Sequence, residues 1–219
     1  TNVNGVTQSA TYPFPAIGGL PSGYYSTLFA APDYLTISDN SLLRIGTNQF
    51  TIEAWVYLNS YTDANLVLTK QNAVSPDNTG WTFGTNITSG YIYFVIAATG
   101  YSSTTAIPLN TWTHIAVTRD SSNRVDYWVN GSSVHNLVLS NNLPADGDVR
   151  VGRGRGTSGN YFDGKISNLR FTNGSCLYTT TFTPSTTPLT AVANTVLLTC
   201  RSNAIVDDST NGFTITNNG

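Results

Sequence analysis

The feature that most restricts what this chain can fold into is the period of its apolar residues. From Tyr24 onward they alternate in short runs, and no run keeps a helical spacing. Successive side chains of a strand point to opposite faces, so each run describes a ribbon with one face to bury. The runs are 34–38, 50–58, 66–70, 81–83, 91–97, 112–119, 124–129, 134–139, 165–171 and 195–199, each bounded by turn-forming residues. Asn130-Gly131 stands between two of them and suits the positive φ angles of a type I′ turn, which predicts a hairpin over 124–139. Asp163-Gly164 and Asn211-Gly212 are weaker turn signals of the same kind. A single open sheet of so many strands would leave one apolar face wet. The expected fold class is therefore all-β, a two-sheet antiparallel sandwich, with Trp55, Trp112 and Trp128 buried because they lie inside runs.

Composition narrows the partners. Of the 219 residues 40% are hydrophobic, enough for a sizeable core, whereas only 10% are charged. An average domain carries about 25% charged residues. The net charge of −2 gives no electrostatic footprint, and only Arg150, Arg153 and Arg155 stand close together, so nucleic acid is not an expected partner. No stretch approaches the roughly 20 apolar residues of a membrane span, and insertion into a membrane is not expected. The chain contains no Met, even at position 1, and is read as a processed product or a segment of something longer. Cys176 and Cys200, its two cysteines, permit one disulfide or two unpaired thiols.

Three zones follow from the punctuation. Residues 1–23 carry Pro13, Pro15 and Pro21 with Gly5, Gly18, Gly19 and Gly23, and read as an extended arm. Tyr12, Phe14, Ile17 and Leu20 give that arm apolar groups, suited either to attachment on another surface or to covering an edge of its own sandwich. Residues 24–172 hold most of the alternating runs. Residues 173–219 form a C-terminal extension expected to pack on the sandwich or complete it.

Tyr34-Leu-Thr-Ile-Ser38, Phe50-Thr-Ile-Glu-Ala-Trp-Val56, Asn110-Thr-Trp-Thr-His-Ile-Ala-Val-Thr-Arg119, Trp128-Val-Asn-Gly131, Val149-Arg-Val-Gly152 and Tyr161-Phe-Asp-Gly-Lys-Ile-Ser-Asn-Leu-Arg-Phe171 follow one another in an order and spacing that resembles a laminin G-like jelly roll. The resemblance covers 24–172 and implies the concanavalin A-like lectin and glucanase superfamily. The tail, through Leu197-Leu-Thr-Cys200 to Asp207-Asp-Ser-Thr-Asn-Gly-Phe213, is similar to the version in phage tail-fibre or capsid-decorating proteins and bacterial surface proteins. This implies an exposed setting, on a virion surface or outside a cell. It does not choose among hydrolase, lectin, adhesin and spacer, all of which this architecture hosts.

Counting tests the hydrolase branch. Glucanases of this superfamily place Glu-x-Asp-x-Glu on one strand, and two carboxylates are needed as nucleophile and acid. Glu53 is the single glutamate here, so that motif cannot be assembled, and Glu53 is expected to be an outward strand residue paired with a polar neighbour. A serine or cysteine triad needs a placed histidine, and His114 and His135 both lie inside strands. Gly152-Arg-Gly-Arg-Gly156 looks like a phosphate cradle but lacks the following helix and the lysine; it reads as a sharp loop with exposed arginines. The chain is not expected to be an enzyme.

Two kinds of binding site remain. Lectin and laminin G-like relatives often hold calcium at a sandwich edge, and Asp146-Gly-Asp148, beside Asn141 and Asn142, places two carboxylates across a glycine. Asp146 and Asp148 are the candidate calcium ligands, opposed by the reading of a plain polar turn. Sugar recognition without metal sets an aromatic ring against the apolar face of a pyranose; Tyr61, Trp81, Tyr101 and Tyr161, at run ends or in loops, are the candidate ligand-binding residues. The expected function is a non-catalytic, lectin-like structural or adhesion module at a virion or cell surface, whose partners are other structural subunits, copies of itself or surface glycans. A carbohydrate-binding adhesin is the alternative, and a glycoside hydrolase comes third.

Overall fold

The structure, a computed structural model, describes residues 5–15, 23–71, 80–96, 99–143, 145–154 and 159–219. Ile17 and Leu20 of the arm and Arg155 and Gly156 of the glycine-rich loop lie outside the described residues. The strands are β1 (Thr7–Ser9), β2 (Ser26–Phe29), β3 (Tyr34–Ile37), β4 (Phe50–Leu58), β5 (Leu66–Gln71), β6 (Gly80–Thr85), β7 (Tyr91–Ile96), β8 (Thr99–Ala106), β9 (Thr113–Arg119), β10 (Arg124–Val129), β11 (Ser132–Val138), β12 (Val149–Val151), β13 (Gly164–Asn173), β14 (Thr195–Thr199) and β15 (Ile215–Asn218). A single 3-10 turn, Ser41–Leu43, stands beside them among the described residues. They build a two-sheet antiparallel jelly-roll sandwich. The first sheet runs β1-β2-β13-β4-β9-β10-β11 with β14 also on β13, and the second runs β15-β3-β12-β5-β6-β7-β8.

Alternation fixes which face is buried. In β4 Phe50, Ile52, Ala54, Val56 and Leu58 point between the sheets and are fully buried, which turns Thr51, Glu53, Trp55 and Tyr57 to the outer face. From the second sheet Leu35, Ile37, Leu68, Trp81, Phe83, Phe94 and Ile96 meet them in one contiguous core. Trp81 packs edge-on against Phe171 with ring centroids 5.7 Å apart, and Phe50 lies 5.7 Å from Phe94. The tryptophan at the centre is thus Trp81. Trp128 is also buried, but on the outer face, with its indole nitrogen donating to Thr118 Oγ1 at 2.9 Å. Trp55 and Trp112 are only half-buried there.

The outer face of the first sheet is covered by the tail. Leu177 N donates to Thr51 Oγ1 on β4, Thr118 Oγ1 on β9 donates to the Tyr178 carbonyl, and Phe182 N donates to the Gly131 carbonyl at the β10–β11 turn. The chain then returns to β13, where Arg170 Nη1 donates to the Thr190 carbonyl at 2.8 Å. Asn130 and Gly131 both have positive φ, 46° and 79°, as the hairpin reading requires. A side chain at Gly131 would collide with the Phe182 carbonyl passing over it.

Asn168 joins distant segments. It interrupts β13 at φ 53°, between the part paired with β2 and the part paired with β14. Its buried amide donates to the Gly23 carbonyl and accepts from Leu189 N, both at 2.9 Å. The arm also folds back. Phe14 is buried against Tyr24 and Trp55, β1 pairs with β2, and Val6 exchanges two hydrogen bonds with the Asn217 amide of β15. One turn expectation is corrected. Gly164 opens β13 rather than a hairpin, while Asp163 accepts from Asn59 and Ser60. Asn211-Gly212 lies in a connection between the two sheets, tied by the Asp207 carboxylate, which accepts from Ser209 N and Phe213 N.

Candidate functional site

A buried group of polar side chains lies under the tail. Arg170 sits directly across the strands from Glu53 and His114 one step diagonally away, which brings their long side chains together on the outer face. Glu53 Oε1 accepts from Arg170 Nε and Nη2 at 2.8 and 2.6 Å, and Oε2 meets Tyr178 Oη at 2.8 Å and His114 Nε2 at 3.0 Å. Burial alone would raise the Glu53 pKa. The His114 hydrogen bond and charge, the Arg170 charge and the Tyr178 hydroxyl outweigh it and hold the carboxyl below its ordinary range. Burial, joined by the Glu53 charge, drives the Tyr178 hydroxyl upward. His114 Nδ1 meets no hydrogen-bond partner, and the Tyr178 and Phe182 rings, stacked 3.6 Å apart, close over the imidazole. A carboxylate that accepts from four donor atoms and is sealed from solvent has neither a lone pair nor a path to offer a substrate. The group fastens the tail to the sheet.

The two cysteines are unpaired, and Cys200 is buried, with burial pushing its thiol up to about 12.

The aspartate loop is organised around a lysine. Lys70, fully buried at the end of β5, donates to Asp39 Oδ1 at 2.5 Å and to the Gly147 carbonyl at 2.6 Å. Asp39 is also paired with Arg44, and Asp148 accepts from Asp39 N. Desolvation lowers the Lys70 pKa, while Asp39 and Asp148 act to raise it. A calcium ion requires 6 to 8 oxygens. Lys70 already takes the Gly147 carbonyl and Asp39 Oδ1, which an ion beside Asp148 would have to share. Among the described residues no three His, Cys, Asp or Glu side chains group as metal ligands.

Of the four aromatic candidates one, Tyr161, stands beside an open cleft without lining it. Trp81 is corrected outright: β6 extends beyond the short run that placed it at an end, and the ring is 1% exposed in the core. Tyr61 packs against the core with its hydroxyl bonded to the Ile107 carbonyl, and Tyr101 faces inward at β8. Tyr161 is different. Its ring and that of Tyr34 both hold the Arg153 guanidinium, each at 4.7 Å from ring centroid to guanidinium carbon. Arg150 lies over the same Tyr34 ring at 5.6 Å. Beside this stack opens a cleft of about 420 Å³ lined by Pro32, Tyr34, Arg153, Asn217, Asn218 and Gly219.

Each wall of the cleft has a local cause. Leu35 and Ile37 take the inward places of β3, so Tyr34 faces out. Gly152 packs against the Phe29 ring, at φ 82°, where a Cβ would clash, and this close approach turns the chain so that Arg153 emerges beside Tyr34. β15 pairs with β3 and sets Asn218 opposite Tyr34. The Asn218 amide donates to Thr36 Oγ1 at 3.0 Å, and the Asn217 amide is held by Val6. The sequence flagged Tyr161 and the glycine-rich loop. It carried no signal for Asn217 and Asn218, since β15 has no alternating apolar pattern. In chemical terms the cleft brings the rings of Pro32 and Tyr34 beside a guanidinium and two side-chain amides.

A family profile described as the concanavalin A-like lectin/glucanases superfamily, of laminin G type, matches residues 29–177. No curated protein matches the chain. Among solved structures, a candidate carbohydrate-binding protein from Bacteroides ovatus superposes with a TM-score of 0.64 at 17% identity, over 88% of this chain and 59% of that one. The chain therefore spans less than two thirds of that protein. Domain 4 of AbnA, an extracellular GH43 arabinanase from Geobacillus stearothermophilus seen with arabinotriose, gives 0.54 at 17% identity over 78% of this chain and 83% of that one. The CBM40 of a Ruminococcus gnavus IT-sialidase, bound to α2,3 sialyllactose, gives 0.55 at 15% identity over 70% and 93%. At such identities the likeness is one of fold.

Proposed function

Since the chain belongs to the concanavalin A-like lectin/glucanase superfamily, we propose that it is a non-catalytic carbohydrate-binding module, exposed on a virion or cell surface, and that its sugar site is the cleft beside Tyr34 and Arg153. The observation that carries this reading is the cleft itself. It sets the rings of Pro32 and Tyr34 beside a guanidinium and side-chain amides, a mixture of the kind that recognises a saccharide's C–H face and its hydroxyls together. The neighbours described as binding carbohydrate support the same class. Against catalysis stands the buried Glu53, whose partners leave it no second carboxylate to work with.

The assembly reading, in which arm and tail reach a neighbouring subunit, loses its main support. The described parts of both pack on the chain's own sandwich. Binding of surface glycans therefore takes precedence, with attachment as its consequence. Titration calorimetry against a panel of neutral and acidic oligosaccharides tests the proposal. Binding by the wild type that Tyr34→Ala or Asn218→Ala weakens at least tenfold, in variants that keep the wild-type fold by circular dichroism, is the expected result. Binding that both variants leave intact would place the site elsewhere, and no binding across the panel would overturn the proposal.

A further inference from the structure

We propose that the N-terminal arm is a working part of this site: Gly5 and Val6 position the cleft wall at residues 217–219, so that docking of the arm and binding of an oligosaccharide strengthen each other. The inference rests on the carbohydrate reading and adds the element that positions that same site.

The wall needs a support that its own strand does not supply. β15 is four residues long, stands at the edge of the second sheet beside β3, and has no buried residue. Such a strand gains little from packing and opens readily unless something else holds it. The arm holds it. Val6 N donates to Asn217 Oδ1 at 2.9 Å, and Asn217 Nδ2 donates to the Val6 carbonyl at 3.1 Å, so one arm residue engages both ends of the amide and fixes its orientation. Gly5 N donates to Asp33 Oδ1 at 3.2 Å, one residue before Tyr34. The approach is close. At Gly5, with φ 99°, a Cβ would stand 2.7 Å from Asn217 Oδ1, and at Gly219 one would stand 2.1 Å from Gly5 N and 2.5 Å from Asp33 Oδ1. Residues 5–6, 33 and 217–219 therefore meet at the edge of the cleft.

The arm is itself anchored away from the cleft. The Val6 side chain is buried in the core, and β1 pairs with β2. Both the arm and β15 lie outside residues 29–177, which match the superfamily profile, so the shared fold by itself builds only the part of the cleft that holds Pro32, Tyr34 and Arg153. The amide wall comes from segments added to that fold and depends on the contact between them. An amide ordered before a ligand arrives costs less to engage than a free one, and the Asn217 oxygen and nitrogen each keep one further hydrogen-bonding position. Two events that share one contact are coupled in both directions. Whatever factor arm docking adds to oligosaccharide affinity, the oligosaccharide adds to arm docking.

The test uses the whole chain and the tightest-binding member of the neutral and acidic oligosaccharide panel. Gly5→Ala, whose methyl group would displace the Asn217 amide, is expected to weaken that binding about fivefold or more, the lower end of typical coupling between sites. Glu53→Gln, which destabilises the fold beneath the tail, is expected to bind as the wild type does. In the wild type, saturating oligosaccharide should slow hydrogen exchange at the Val6 N–H about fivefold or more and leave the β11 edge strand unchanged. Unchanged affinity in Gly5→Ala, equal weakening in Glu53→Gln, or slowing no greater at Val6 than along β11 each overturns the inference and leaves the carbohydrate reading standing. Absence of binding by the wild type across the panel overturns both proposals. The exchange measurement on the wild type decides the matter even if Gly5→Ala does not fold.

Discussion

Replacing Glu53 by alanine measures how strongly the tail is fastened. The carboxylate accepts two hydrogen bonds from Arg170 and one from Tyr178, and meets His114 at 3.0 Å. The Arg170 side chain is 8% exposed, so Glu53→Ala leaves a guanidinium with little access to water and one remaining bond, to Thr190. Breaking a buried pair by removing one member costs about 3–5 kcal/mol. For a chain of this length each kcal/mol moves the melting temperature about 2–4 °C, so a drop of roughly 6–20 °C is expected. Glu53→Gln keeps one acceptor oxygen but presents an amide nitrogen to donors, and should lose about half as much. Urea unfolding with an unchanged slope is the assay. Its pH dependence adds a second constraint. The folded carboxyl titrates below its unfolded value, so its contribution is complete above the unfolded pKa of about 4.3 and is lost as pH falls through the folded value. The gap between wild type and Glu53→Ala should therefore narrow in acid. A loss below about 1 kcal/mol at pH 7, or a gap that does not narrow, would refute the reasoning.

Lys70→Met should cost about 2–3 kcal/mol, less than a fully buried pair because Asp39 keeps Arg44; in the wild type, millimolar calcium or a chelator should leave the melting temperature unchanged, since the ammonium already takes oxygens that an ion there would have to share. A calcium-dependent rise in the wild type would contradict this. Asn168→Ala removes the amide's three hydrogen bonds, to Gly23, Ser167 and Leu189, and strains a position at φ 53°, for an expected loss of about 2–4 kcal/mol, whereas Asn168→Gly recovers only the backbone part. Equal destabilisation by the two would show that the amide contributes all of it. Cys200, buried and with its thiol pushed up to about 12, should react with a disulfide reagent only after unfolding, while half-buried Cys176 reacts first. Mass mapping of the labelled site checks the order.

What the sequence revealed and what it hid have separate causes. Strands buried on one face were legible because alternation is the physical consequence of that burial: Phe50 to Leu58 reads inward and outward residue by residue, and the structure keeps those bounds. The polar edge strands β1, β8 and β15 have no such face and left no pattern. The same parity places Trp55 on the outer face, opposite Ile52. Burial of that face depends on the tail, whose residues 175–190 have no period to announce where they lie. Trp81 was misplaced because its run looked only three residues long. The pairing of Glu53 with a polar neighbour was legible from its place in a strand, but the identity of Arg170, 117 positions away, was not. The cleft draws on residues 32–34, 153 and 217–219, and a site assembled from segments so far apart has no spacing for a sequence to display.

The most direct measurement of the central claim is amide chemical-shift mapping of the isotope-labelled protein as it is titrated with the tightest ligand of the oligosaccharide panel. The account predicts the largest shifts at residues 32–36, 152–154, 159–161 and 216–219, around Tyr34, Arg153, Tyr161 and Asn218. Shifts centred on any other surface, such as the loops beside Tyr61 or the face covered by the tail, would contradict it.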